Sequence, residues 1–169
     1  DAVEQKVAAL GAGFRGGYLI APHADASVAR EDLAPTDAQL MQRFKTAGTQ
    51  AANSKPPPQR TPPRYADRRS PCGAAHHSFC VDNRGNLLPC VAIRTEIGNL
   101  ARRSFDDLWR NSPELRRIRS LRVSDLKRCS ACNLYSLCSR CLGIALAETG
   151  SFAKPSEQAC RIARLRGDA

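Results

Sequence analysis

Eight cysteines, Cys72, Cys80, Cys90, Cys129, Cys132, Cys138, Cys141 and Cys160, occupy the second part of this 169-residue chain, and none precedes Cys72. Five fall within 32 residues, and Cys129 to Cys141 reads C-x2-C-x5-C-x2-C. A two-residue gap lets two thiolates converge on one metal from a tight turn whose backbone N–H groups can face the sulfurs. Two such pairs in succession are a strong metal signal. Three chemistries compete for the thiols. Disulfides need an oxidising compartment, and Asp1 to Leu10 shows neither a basic n-region nor a long apolar h-region. Closed zinc sites and iron–sulfur cubanes each take four thiolates, so eight cysteines make two sites of either kind. Spacing alone does not separate zinc from iron.

Other chemistry-bearing residues are weaker candidates. Gly11-Ala12-Gly13-Phe14-Arg15-Gly16 spells G-x-G-x-x-G, but a dinucleotide site needs an apolar strand before it and a helix after. Here a polar helical pattern precedes and a strand follows. His76 and His77 stand between Cys72 and Cys80, where eight available thiols make them turn residues rather than ligands. His23 and Asp25 follow a short apolar run, without the convergent geometry that would mark a catalytic pair. Arg102 to Arg128 is the densest basic run. Phe105 and Trp109 are its only aromatics and both precede most of its arginines, whereas nucleic-acid binders interleave aromatics or present a known module.

The elements that must position the cysteines are short. Val3, Val7 and Leu10 repeat at helical spacing. Gly16-Gly17 breaks that pattern, and Tyr18-Leu19-Ile20 reads as a strand. Thr36-Asp37-Ala38-Gln39 is a capping-box pattern opening a helix with Leu40, Met41 and Phe44 on its apolar face. Lys55 to Arg64 holds five of the eleven prolines, which makes it a connector. Phe79-Cys80-Val81 and Leu87-Leu88 flank Asp82-Asn83-Arg84-Gly85, a hairpin signal with Gly where positive φ is needed. Ser104 to Asp107 is an N-cap for a helix through Leu108 and Trp109. Ser112-Pro113-Glu114 opens another, with Pro at its first position and Leu115, Ile118 and Leu121 as its apolar stripe. No internal repeat has a fixed period.

Cys72-Gly73-Ala74-Ala75, Cys80-Val81-Asp82 and Gly85-Asn86-Leu87-Leu88-Pro89-Cys90 resemble the first half of the SPASM domain, the auxiliary-cluster extension of radical S-adenosylmethionine enzymes. That domain's signature opens C-x9–15-G-x4-C, which Cys72, Gly85 and Cys90 satisfy. It continues C-x2-C-x5-C-x3-C, a gap and C, the order in which Cys129, Cys132, Cys138, Cys141 and Cys160 follow. Ile97-Gly98-Asn99-Leu100 and Phe105-Asp106-Asp107-Leu108-Trp109 resemble the segment between the halves. The resemblance covers about residues 72 to 162. One departure is that Cys138 and Cys141 enclose two residues where the family has three, often with paired glycines. Either the turn tightens or one cluster is incompletely ligated.

The resemblance implies an α+β chain: the end of a partial (β/α) barrel over residues 1–50 with a bridging helix, a Pro-rich linker over 51–71, and a cysteine-rich SPASM/twitch-like domain over 72–169, with a β-hairpin and short helices around two 4Fe–4S clusters. It further implies interleaved ligands. Cys129, Cys132, Cys138 and Cys160 hold a distal cluster, and Cys72, Cys90 and Cys141 a nearer one. Cys80 is either the fourth ligand of the nearer cluster or a small hydrophobe in a strand. The family's C-x3-C-x2-C, which holds a third cluster and S-adenosylmethionine, is absent from the sequence. The chain also starts at Asp1 without an initiator Met, so the expectation is the C-terminal part of a longer oxidoreductase or peptide/protein maturase, not catalytic alone. The expected partners are a peptide or protein substrate, with an acidic leader, and an electron donor such as flavodoxin or ferredoxin. The competing reading is a two-zinc, cysteine-rich nucleic-acid-binding module.

Composition sets the remaining bounds. The chain is 42% hydrophobic and only 5% aromatic, enough for a thin core. The net charge of +10 suits acidic partners or an anionic cluster. No run of eighteen apolar residues spans a membrane, and the expected location is cytoplasmic.

Overall fold

The computed structural model describes residues 2–13, 19, 33–51 and 69–169. The expected strand at residues 18–20, His23, Asp25, Gly16-Gly17 and the Pro-rich connector fall outside the described residues, Leu19 excepted. A helix, α1 (Ala2–Ala9), bears out the Val3/Val7 spacing, and Gly11 after it has φ +69. A second helix, α2 (Asp37–Ala51), starts on the expected capping box. The Thr36 N–H donates to Gln39 Oε1 at 2.8 Å, and the Gln39 N–H donates back to Thr36 Oγ at 3.3 Å. Leu40, on the expected apolar face, is fully buried.

The cysteine-rich part begins with a small antiparallel sheet in the order β1 (Cys80–Val81), β2 (Asn86–Leu88), β3 (Gly98–Asn99). The expected hairpin is present, with Cys80 opposite Leu88 and Val81 opposite Leu87. Its turn closes because Asp82 Oδ1 accepts from the N–H groups of Arg84 and Asn86, at 2.8 and 2.9 Å, while Gly85 adopts φ +80. A side-chain network then pins the third strand. Asn86 donates to Asp82 and Glu96, both at 3.0 Å, and Asn99 donates to Asn86 Oδ1 at 2.9 Å. The central strand is buried at every residue, as a strand covered on both faces must be.

Helices α3 (Phe105–Asn111) and α4 (Pro113–Ser120) follow, on the N-caps expected from sequence. Ser104 Oγ accepts from the Asp107 N–H and Ser112 Oγ from the Leu115 N–H, both at 3.2 Å. Each such cap is worth about 1 kcal/mol. Leu87, Ile93, Leu108, Leu115 and Leu126 are buried to 1% exposure or less and form one cluster with Ile118 and Leu142. Full burial of a side chain of this kind stabilises by roughly 1.5–3 kcal/mol. Phe79, Phe105 and Trp109 cluster with centroids 5.0 to 5.8 Å apart, Phe105 stacked on Trp109 and Phe79 inclined to both. Arg119 lies over Trp109 at 4.5 Å and donates to the Ala75 and Trp109 carbonyls at 2.6 and 2.8 Å, tying α4 to the loop after Cys72.

The rest of the chain is a series of short turns and three helices: α5 (Lys127–Ser130), α6 (Leu142–Thr149) and α7 (Glu157–Gly167). Ser156 caps α7 through the Ala159 N–H at 3.2 Å, and the Glu148 carboxylate accepts from the Glu157 N–H at 2.6 Å. Negative charge at a helix N-terminus is favourable. Helix α7 packs on α2, where Arg161 donates to Asp37 at 2.6 Å and to the Pro35 carbonyl at 2.9 Å. The described part is therefore mixed helix and small sheet, α+β in class, with its best-packed region beside Cys72, Cys90 and Cys129.

Candidate metal centre

Cys129, Cys132 and Cys138 ride on consecutive tight turns. The N–H of Cys129 bonds to the Leu126 carbonyl, that of Cys132 to Cys129, that of Tyr135 to Cys132 and that of Cys138 to Tyr135, at 2.7 to 3.2 Å. This is the local backbone that the two-residue cysteine gap requires. Helix α7 brings Cys160 to the same place, and Arg166 on α7 anchors the turn by donating to the Leu137 carbonyl and Ser139 Oγ at 2.9 and 2.7 Å. The result is a cavity of about 240 Å³ into which Cys129, Cys132, Cys138 and Cys160 all open. These are the four thiols that the resemblance assigns to the distal cluster.

The second group forms where the sheet meets α6. Cys90 begins a tight turn closed by the Ile93 N–H at 3.3 Å. Cys141 is the N-cap residue of α6. The helix reaches the Cys90 turn because residue 143 is Gly: a Cβ there would lie 2.3 Å from the Ala92 carbonyl oxygen. Burial pushes the Cys72 thiol up; the Ala74 N–H bond to its sulfur opposes this, and the negative charge of neighbouring Cys90 and Cys141 thiolates adds to it. Cys72 and Cys90 both pack against the hydrophobic core, and Cys141 opens α6. Cys80 lies on β1, half-buried, with its S–H 3.8 Å from the Val81 carbonyl and its backbone opposite Leu88, two residues from Cys90.

The electrostatics suit an anionic cluster. Burial also pushes up the thiols of Cys138 and Cys160, and nearby thiolates add to the rise. Against this, the Arg140 N–H bonds to the Cys138 sulfur, and the positive charges of Arg140 and Arg164 favour the thiolates. The cavity wall includes Arg128, Arg140 and Arg164 and no carboxylate. Part of the chain's excess of basic residues is therefore spent beside its thiols.

All eight cysteines are free thiols. Among the described residues, no three His, Cys, Asp or Glu side chains converge closely enough for a single metal ion. Zinc at about 2.3 Å from each sulfur would draw four thiolates to within about 3.8 Å of one another. A cubane offers a separate iron to each thiolate and holds the four sulfurs farther apart. Four thiols around a shared cavity, with cationic walls, fit the larger group. His76 and His77 are exposed, and His76 Nε2 is 3.0 Å from Ser70 Oγ; they are turn residues, as expected.

Sequence reasoning passed over Arg140. The signal was available: a long cation between two candidate ligands, where the resembled family often has glycines.

The family model of SPASM, described as an iron-sulfur cluster-binding domain, matches residues 72–142. No curated protein and no solved structure matches the chain. The matched segment contains seven of the eight cysteines and stops short of Cys160, which the fold returns to the others.

Proposed function

We propose, from the match of residues 72–142 to the SPASM iron–sulfur cluster-binding domain, that the chain holds two 4Fe–4S clusters and serves electron transfer and substrate docking for a radical S-adenosylmethionine enzyme. The observation that carries this reading is the cavity shared by Cys129, Cys132, Cys138 and Cys160. Cys72, Cys90 and Cys141 hold the second cluster, and Cys80, one strand away from Cys90, completes its ligands.

A cluster in either site supplies one-electron transfer at a potential set by burial and by hydrogen bonds to sulfur. The chain's own residues set those conditions. The Ala74 and Arg140 N–H groups donate to ligand sulfurs, Arg128, Arg140 and Arg164 balance the negative charge, and Leu126 and Ala163 exclude water from one wall. In the complete enzyme a C-x3-C-x2-C segment, absent from these 169 residues, holds a third cluster and S-adenosylmethionine. The substrate is a peptide or protein with an acidic leader, suited to the basic surface, and flavodoxin or ferredoxin supplies electrons.

Anaerobic purification and metal analysis test this. The expected result is about eight irons with matching sulfide, and broad absorption near about 400 nm. Colourless protein containing about two zinc ions would refute it, since Zn²⁺ is d¹⁰.

A further inference from the structure

Arg140 is the residue through which the two thiol groups meet. It stands between Cys138, of the cavity group, and Cys141, of the other. Its backbone N–H bonds to the Cys138 sulfur. Its side chain lines the cavity, where Nη1 donates to Cys129 Sγ at 3.1 Å and to the Lys154 carbonyl at 2.9 Å, and Nη2 donates to the Phe152 carbonyl. Nε is buried and has no partner. A guanidinium has five N–H donors, no acceptor, and keeps its charge. Two carbonyls therefore fix its plane, one ligand sulfur receives a charge-assisted bond, and one donor is left dry. Buried donors are rarely left unpaired without a functional reason.

We propose that Arg140 is a positioning residue that sets the reduction potential of the cluster held by Cys129, Cys132, Cys138 and Cys160, through the bond from its Nη1 to the Cys129 sulfur. This rests on the two-cluster reading above. Reduction adds one negative charge to the cluster. A fixed cation bonded to a ligand sulfur stabilises the reduced form more than the oxidised form, so it raises the potential. Arg140 bonds to sulfur directly in the cavity, so its effect falls on the cluster held there.

The test is a potentiometric titration, followed by electron paramagnetic resonance, of the full chain reconstituted anaerobically with iron and sulfide. Wild type, R140K, R140Q and R140M are compared, and the cavity signal is identified by its change in C132S. R140Q and R140M are expected to keep their iron while the reduction equilibrium of the cavity cluster falls at least tenfold, about 59 mV for a one-electron couple. R140K keeps the charge without the fork and recovers part of the loss. Full iron and an unchanged cavity potential in R140M would overturn the proposal. So would loss of iron in all three variants, which would make Arg140 an assembly element. Zinc in place of iron in the wild type would instead sink the cluster reading, and this inference with it.

Discussion

Gly143→Ala tests how the second thiol group is assembled. An ideal Cβ at this position lies 2.3 Å from the Ala92 carbonyl oxygen, 2.5 Å from its carbon and 2.7 Å from the Ala92 Cβ. Comfortable contact needs about 3.5 Å, so α6 must retreat from the Cys90 turn by about 1 Å. The obstacle is mainly backbone, so no flexible side chain can swing aside. Overpacking of this kind costs about 1–3 kcal/mol, and the better helix propensity of Ala returns up to about 1 kcal/mol. A net loss of about 1–2 kcal/mol lowers Tm by roughly 2–8 °C in a chain of this size. The retreat separates Cys141, at the start of α6, from Cys90. Thermal unfolding of the metal-free protein should show the drop, and the reconstituted protein should bind about four irons rather than eight. Gly150→Ala is the control. Gly150 has φ +69 with nothing within 4 Å, so its cost is backbone strain, about 1 kcal/mol, with full iron retained. If Gly143→Ala unfolds at the wild-type temperature and binds full iron, the close approach of α6 does not assemble this site.

Other consequences are as direct. Hydrogen bonds from the Asn86 and Arg84 backbones and the Asn86 side chain, with Arg84's charge, hold the Asp82 carboxyl below the usual carboxylate value. Its stabilising effect is therefore present above about pH 3.9 and is lost as pH falls through its lower folded value; Asp82→Ala should flatten acid unfolding of the metal-free protein in that window. Ser156→Ala removes the buried cap of α7, the helix that carries Cys160. It should cost about 1–2 kcal/mol in urea unfolding and weaken iron retention in the cavity alone. Cys132→Ser should perturb only the cavity cluster, and Cys80→Ser only the other. A change in both signals from either variant would contradict the assigned ligand groups.

The sequence made local structure legible wherever one residue type had one physical job. Thr36 and Gln39, Ser104, and Ser112 with Pro113 each announced a helix start, because a cap oxygen must sit three residues from the N–H it satisfies. Asp82 and Gly85 announced the hairpin in the same way. Helix α6 was not legible, since Leu142-Gly143-Ile144-Ala145 is buried as a continuous apolar run and shows no face. Strand β3 is two residues, Gly and Asn, held by the side chains of Asn86 and Asn99 rather than by strand propensity. Helix α7 was not anticipated either, although Ser156 caps it through the Ala159 N–H, whereas α6 and β3 are positioned by contacts distant in sequence, which no local window can reveal.

The same division runs through the metal centre. Cys129, Cys132 and Cys138 are joined by turns of a few residues, so their spacing already carries their geometry. Cys160 is reached only because Ser156 caps α7 and Arg166 ties that helix to the Cys138 turn. Gly143 lets α6, which Cys141 caps, approach the turn that Cys90 opens, and Arg119 clamps Ala75 in the loop after Cys72. Cys138 and Cys141 stand three positions apart with Arg140 between them, and the Arg140 guanidinium bonds to the Cys129 sulfur. On the proposal above, the short gap carries a cation to the cavity thiols that a longer, glycine-paired gap would lack.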